Sequence, residues 1–328
     1  FTGIVTSTLG NGALTLPADV LSGTFTSAIY QSPLPFVALG SNWLAILPSG
    51  SSMSLWMRAS ANGQDWSTWE QVSKLDAERG ESRAPYGELL FLGGRYVQYR
   101  VDLCRDSALV QPLIASITLT CINSTWGPTA SEAYNQALSR YRPQDVGPRI
   151  ISRAYWGARE EWMTWEPEYR TPKTFVIHHT VTSSGGLDAA AVVRAIYYYH
   201  AITNGWGDIG YNYLIDDAGR IYEGRYGGEG VVGGHARAYN WGSIGIALLG
   251  DYTRATPSSA ALAALVELVA WKGNLHFIHP LREGEFIDKV LPNVMAHRDC
   301  QPETTCPGNG MYALMPTVRQ QVMVRMQQ

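Results

Sequence analysis

Thr174-Phe175-Val176-Ile177-His178-His179-Thr180 is the stretch from which the second half of this chain is read. Its short, fully apolar run Phe175-Val176-Ile177 is a candidate central strand of a sheet covered on both faces. The run ends in two imidazoles, which are strong zinc ligands held at a rigid strand end. Neighbours on a strand point to opposite faces, so only one of the pair can face a metal. Far downstream, Met295-Ala296-His297-Arg298-Asp299 and Thr304-Thr305-Cys306-Pro307-Gly308 supply a further imidazole and a thiol. Three such ligands with one open position describe a catalytic zinc site better than a structural one.

Working outward from that strand, residues 149–328 read as mixed α and β. Leu187 to Ala201 is a helix with Ala190, Val193, Ile196 and Tyr197 as its inward stripe. Tyr211-Asn212-Tyr213-Leu214-Ile215 and Arg220-Ile221-Tyr222-Glu223-Gly224 form a hairpin around Asp217-Ala218-Gly219. Ser243 to Leu249 is another buried strand. A long helix starts at Thr256-Pro257-Ser258-Ser259, and a last one runs from Met315 to Met326. Strands alternating with helices predict an α/β fold, with a mixed central sheet flanked by helices.

Residues 1–122 read differently. Alternating runs such as Ser52-Met53-Ser54-Leu55-Trp56-Met57-Arg58 and Arg95-Tyr96-Val97-Gln98-Tyr99-Arg100-Val101 are separated by Gly-, Ser- and Asn-rich turns. That pattern predicts an all-β, sandwich-like domain. Trp56, Trp66 and Trp69 cluster in and beside one of its turns; they either stack on sugar rings or close one end of the sandwich. The first use favours an accessory domain that binds cell wall or carbohydrate. Cys104 and Cys121 are expected on neighbouring strands, as a disulfide or as two reduced core thiols. Residues 123–148, rich in turn residues, read as a linker interrupted by a short helix from Ser131 to Tyr141.

The 328 residues are 45% hydrophobic and 16% charged, which calls for packed cores rather than disorder. A net charge of −3 argues against a nucleic-acid partner and leaves an uncharged or zwitterionic polymer open. No apolar run approaches the ~20 residues that a transmembrane helix needs. The chain begins at Phe1, and a processed, secreted protein is expected.

Five blocks in order make residues 148–326 resemble a known family. They are Ile151-Ser152-Arg153-Ala154-Tyr155-Trp156-Gly157-Ala158; Val176-Ile177-His178-His179-Thr180; Gly205-Trp206-Gly207-Asp208-Ile209-Gly210-Tyr211-Asn212-Tyr213-Leu214; Gly234-His235-Ala236 with Tyr239-Asn240 and Ser243-Ile244-Gly245-Ile246; and Ala296-His297-Arg298-Asp299 with Cys306-Pro307-Gly308. The segment is similar to the type-2 N-acetylmuramoyl-L-alanine amidases, a group that includes phage-lysozyme-type amidases and animal peptidoglycan recognition proteins.

The resemblance implies Zn2+ held by His178, His297 and Cys306. His179 would then be a core or supporting histidine. The implied reaction is hydrolysis of the amide between N-acetylmuramic acid and L-alanine of the stem peptide, by zinc-activated water. Tyr211 would stabilise the oxyanion or move a proton, with Thr304 as a second polar group. His235 is expected to line the substrate groove, and Trp206 and Asn240 are expected to contact peptidoglycan or muramyl peptides. A non-catalytic recognition protein using the same groove is the alternative.

Eight residues separate His297 from Cys306, one more than in such relatives, and the extra length brings in Cys300. Cys300 is a spectator, a substitute ligand, or the partner of Cys306 in a disulfide. The Cys-Pro-Gly context of Cys306 favours the spectator reading.

Overall fold

A computed structural model describes residues 3–7, 13–75, 85–140, 147–182 and 186–328. The chain divides into two compact units, with the boundary at Trp126/Gly127.

The first unit has two antiparallel sheets. One pairs Gly3–Ser7, Leu113–Ile122, Ala38–Ile46, Tyr86–Gly87 and Lys74–Leu75 in that order, with Leu14–Thr15 also against Leu113–Ile122. The other orders Ser22–Thr26, Gly94–Arg105, Ser51–Ser60 and Glu70–Val72, with Tyr30–Phe36 also against Gly94–Arg105. Period-two alternation assembles the core between them. Val97, Tyr99, Val101 and Leu103 point inward from one long strand and meet Leu39, Ile114, Ile117 and Leu119 from the facing sheet. Their neighbours Gln98, Arg100 and Asp102 are half-buried on the outer face.

The tryptophans singled out in the sequence are covered by arginines. Trp56, Trp66 and Trp69 are half-buried. The Arg58 guanidinium lies 4.7 Å from the Trp66 ring and 4.6 Å from the Trp69 ring. Arg100 covers Trp56 at 4.9 Å and Trp69 at 5.3 Å. Of the two alternatives for Cys104 and Cys121, the reduced thiols stand and the disulfide does not, although only Cys121 is in the core. Their strands belong to different sheets, Cys104 is exposed, Cys121 is buried, and both are free. Burial pushes the Cys121 thiol up to about 11, against a hydrogen bond with Ser32 that lowers it.

The second unit is built on a six-stranded sheet in the order Ile150–Ile151, Ile221–Glu223, Tyr213–Ile215, Ser243–Leu248, Thr174–His179, Val294–Ala296. Only the hairpin pair Tyr213–Ile215 and Ile221–Glu223 is antiparallel; its turn uses Gly219 at φ +78°. Thr174–His179 is buried at every residue, as its unbroken apolar run requires. Phe175 and Ile177 face helices Ser259–His276 and Met315–Met326, packing with Leu265, Leu268, Val269, Val318 and Val322. Val176 faces the other way, toward Ala236, Tyr239, Met295 and Cys300.

Two expectations need revision here. The helix Ala189–Tyr198 is buried on all sides from Ala190 onward, rather than along one stripe, and continues as a π-helical turn over Tyr199–Thr203. The short helix expected inside the linker stretch is present as Ala130–Ser139, capped by a Thr129/Glu132 box, but it belongs to the second unit, with Ala130 and Ala133 buried. Asp188 explains the docking: its carboxylate accepts from the Ala130 and Ala190 N–H groups, so one anion serves two helix N-termini. The far end of the expected linker, residues 141–146, lies outside the described residues. Among the described residues, no helix is long and apolar enough to cross a membrane.

Candidate metal centre

The strand alternation separates the histidine pair. His178 turns to the side of Val176 and is fully buried. His179 turns to the opposite side, where its Nδ1 accepts the Tyr252 N–H at 3.2 Å and its ring stacks on Tyr252. His297 stands directly after the neighbouring strand Val294–Ala296, at the start of the short helix His297–Cys300. Because that strand runs parallel to Thr174–His179, its end delivers His297 beside His178, with ring centroids 4.5 Å apart.

Cys306 arrives through the loop after His297, which closes where the Arg298 N–H meets the Cys306 carbonyl at 3.0 Å. The ligand atoms of His178, His297 and Cys306 all lie within 4.8 Å of one another. Cys306 Sγ is 3.7 Å from His178 Nδ1 and accepts the His179 N–H at 3.4 Å. An N–H aimed at sulfur favours the thiolate, the form that binds metal.

Burial and the electrostatics of neighbouring rings keep these imidazoles neutral. Desolvation, then His297 and His235, holds His178 well below the usual histidine range. Burial lowers His297 to about 4, against the hydrogen bond to Gln301, which raises it. Neutral imidazole is the ligating form. Gln301 Oε1 lies 2.6 Å from His297 Nε2, so that nitrogen donates outward and Nδ1 is left for the cluster. The sequence reading missed Gln301. Its position four residues after His297 at a helix start was the available signal.

Tyr211 closes the site on another side, with its ring 5.4 Å from that of His178 and 5.7 Å from that of His200. It precedes the strand Tyr213–Ile215 instead of lying in it. Tyr213 packs against the core beneath helix Ser259–His276. What holds the Tyr211 segment is a buried charge network. Asp208 is fully buried and takes Arg153 at 3.0 Å on one oxygen and Arg225 at 2.8 Å on the other. The Ile209 and Tyr226 N–H groups complete its shell at 2.8 Å each. Arg225 then donates its own backbone N–H to the Tyr211 carbonyl at 2.8 Å. Sequence reading quoted Asp208 without a role; buried ion pairs leave no local periodic signature.

Thr304 is half-buried, and its hydroxyl oxygen accepts the Cys306 N–H at 3.1 Å. Its hydrogen is left to donate. Cys300 forms no disulfide and packs with Val176, Leu291 and Met295, with Sγ 3.1 Å from the His297 carbonyl. It is neither a substitute ligand nor a disulfide partner in this structure.

The structure places all three residues expected to contact substrate in buried positions. His235 is fully buried beside His178, with its Nδ1 3.1 Å from His178 Nε2. Asn240 is buried, and its Oδ1 accepts the His235 and Ala236 N–H groups at 2.8 and 2.7 Å. Trp206 is buried with its ring 4.5 Å from His200, whose Nδ1 accepts the Gly210 N–H. All three hold the loops that carry the site. Motif membership could not distinguish such support from contact with a ligand, because both fix residue identity equally well.

A family model described as N-acetylmuramoyl-L-alanine amidase matches residues 168–309. Peptidoglycan-recognition protein SC2 of Drosophila simulans is 33% identical over 170 residues, which cover 51% of this chain and 84% of that protein. N-acetylmuramoyl-L-alanine amidase of Sus scrofa is 34% identical over 176 residues, 52% of this chain and 27% of that protein. Among solved structures, wild-type Drosophila PGRP-LB aligns at 31% identity with a TM-score of 0.43, covering 52% of this chain and 93% of that one.

Proposed function

The chain belongs to the N-acetylmuramoyl-L-alanine amidase family, and from that premise we propose that it is a zinc-dependent hydrolase. Its substrate in this reading is peptidoglycan, cut between N-acetylmuramic acid and the L-alanine of the stem peptide. The observation that carries the reading is the approach of His178, His297 and Cys306 to within 4.8 Å of one another beside the Tyr211 ring.

The donor set fits zinc. Tetrahedral bonds of about 2.0 Å to nitrogen and 2.3 Å to sulfur put the two donors about 3.5 Å apart. His178 Nδ1 and Cys306 Sγ are 3.7 Å apart. His297 would contribute Nδ1, since Gln301 engages Nε2. Calcium or magnesium would call for oxygen donors instead. Zinc bound there would supply a Lewis acid for the scissile carbonyl and a water of lowered pKa.

The protein's own groups do the rest. The buried imidazoles stay neutral and hold their lone pairs inward. Tyr211, on a segment clamped through Arg225 and Asp208, offers a phenol to the oxyanion and to the departing amine. Thr304 orients the Cys306 backbone and has one hydroxyl hydrogen to add to the oxyanion.

Purified peptidoglycan incubated with the protein should release stem peptides bearing a free L-alanine amine, detected by mass spectrometry. Binding of muramyl peptide without release, at full zinc occupancy, would overturn hydrolysis in favour of recognition. Tyr211→Phe is expected to lower kcat about 100-fold with zinc content unchanged. A kcat within about threefold of wild type would remove Tyr211 from the chemistry.

The same reading makes the protein secreted or wall-associated, since its substrate lies outside the cytoplasm. Recovery of the native protein wholly in a cytosolic fraction would contradict this. It also assigns the first unit a wall-binding role through the half-buried Trp–Arg face. A chain lacking residues 1–122 should sediment less with cell-wall sacculi, and equal sedimentation would rule that role out.

A further inference from the structure

We propose that His235 is a positioning residue that sets the tautomer and ring orientation of His178, through a hydrogen-bond relay anchored on the Tyr239 carbonyl. The inference rests on the zinc reading above in one respect only, namely what the inward nitrogen of His178 is for.

The relay can be followed atom by atom. The Ser243 hydroxyl has a single hydrogen, and the Tyr239 carbonyl receives it at 2.6 Å. Only oxygen lone pairs then remain for His235 Nε2, 3.4 Å away, so that nitrogen is the donor. A neutral imidazole has one ring hydrogen, so His235 Nδ1 is an acceptor. It meets His178 Nε2 at 3.1 Å, and His178 Nε2 must therefore donate. The lone pair of His178 is left on Nδ1, the nitrogen that faces Cys306 Sγ. A backbone carbonyl thus fixes the protonation pattern of a metal-facing ring two side chains away.

The surroundings are built to hold this arrangement. His178 and His235 are both fully buried, with ring planes at 77° to each other. Asn240 Oδ1 pins the His235 backbone from within the turn that also carries Tyr239. Gly245, on the strand Ser243–Leu248, leaves the space that the His235 ring fills. A Cβ at 245 would come within 2.3 Å of that ring. A ligating histidine ordinarily donates its second N–H to a carboxylate, a carbonyl or water. Here the acceptor is a second imidazole, which can take that hydrogen only in the tautomer Ser243 imposes.

The test uses the full chain. In metal-free wild-type protein, long-range 1H–15N spectra of the rings should show both His178 and His235 protonated at Nε2. Protonation of either ring at Nδ1 would overturn the relay, and this measurement needs no variant. Zinc affinity, read by competition with a chelating dye, should fall about 10- to 100-fold in His235→Leu. His235→Asn, whose amide oxygen falls near the Nδ1 position, should recover most of that loss. Unchanged affinity in a folded His235→Leu, or an Asn variant as weak as Leu, would overturn the proposal. If His235→Leu does not fold, Ser243→Ala keeps the ring and should shift His178 toward a tautomer mixture; an unshifted spectrum counts against the relay. Failure of wild-type protein to bind zinc would sink the hydrolase reading, while the ring spectra would still decide the relay.

Discussion

Cys306→Ala should abolish stoichiometric zinc binding and lower peptidoglycan hydrolysis by about 10³-fold or more. A Lewis acid at a carbonyl contributes several kcal/mol of transition-state stabilisation, and about 4 kcal/mol corresponds to that factor. In the proposed site Cys306 would supply the one anionic donor beside His178 and His297, which are neutral and buried. Without it, two imidazoles would have to hold a dication at a site that supplies no compensating charge. The control is Cys300→Ala. That thiol packs with Val176, Leu291 and Met295, so its loss should leave zinc content and turnover near wild type. Metal analysis beside a rate assay reads both variants. Full zinc with full turnover in Cys306→Ala would remove Cys306 from the site, and a matching loss in Cys300→Ala would revise the ligand assignment.

Asp208→Ala should cost about 3–5 kcal/mol of stability, because it strands two buried guanidinium groups on a shared partner's absence. Asp208 is fully buried, Arg225 is fully buried and Arg153 nearly so. Arg153 would keep Glu160, which is about half exposed, and a carbonyl bond to Gly224. Arg225 would keep only carbonyl acceptors, those of Trp165 and Glu166, at 2.8 and 3.0 Å. Urea unfolding of the second unit measures the effect, and a loss below about 1 kcal/mol would show that relaxation or water replaces the carboxylate. Activity should fall along with stability, because the Arg225 backbone amide that holds the Tyr211 carbonyl belongs to the same cluster. Replacing all three charged residues by apolar ones of similar volume should be far less damaging than removing Asp208 alone, since the main penalty comes from the uncompensated charge.

The parts of this protein that were legible in its sequence are those governed by short-range periodicity. The apolar run Phe175-Val176-Ile177 read as a covered central strand, and the fold buries it at every position. The alternation of Val97, Tyr99, Val101 and Leu103 with polar neighbours defined an inward and an outward face before any partner strand was known. Pro and Ser at the start of the long helix located its first turn, where Ser258 accepts the Ala261 N–H.

Long-range pairing was not legible in that way. The Cys104/Cys121 expectation needed the order of strands in space, and sequence neighbours in a sandwich commonly sit in opposite sheets. Helix Ala130–Ser139 looked like part of a linker because its capping and its short apolar face say nothing about what it docks on. The Asp188 carboxylate that ties it down lies 58 residues away in the chain.

At the site, sequence alone determined the donor types and, through the period of two, that only one of His178 and His179 could face a metal. Tertiary structure decided the rest. It packed Cys300 among apolar side chains while presenting Cys306, only six residues on, to His178. It also placed His235, Asn240 and Trp206, the residues expected to contact substrate, in buried positions. The physical reason is one of range: strand and helix periods act over a few residues and assign faces. The choice between a ligand, its support and a bystander depends on which distant side chains fill the space opposite, and that is set only when the sheet has closed.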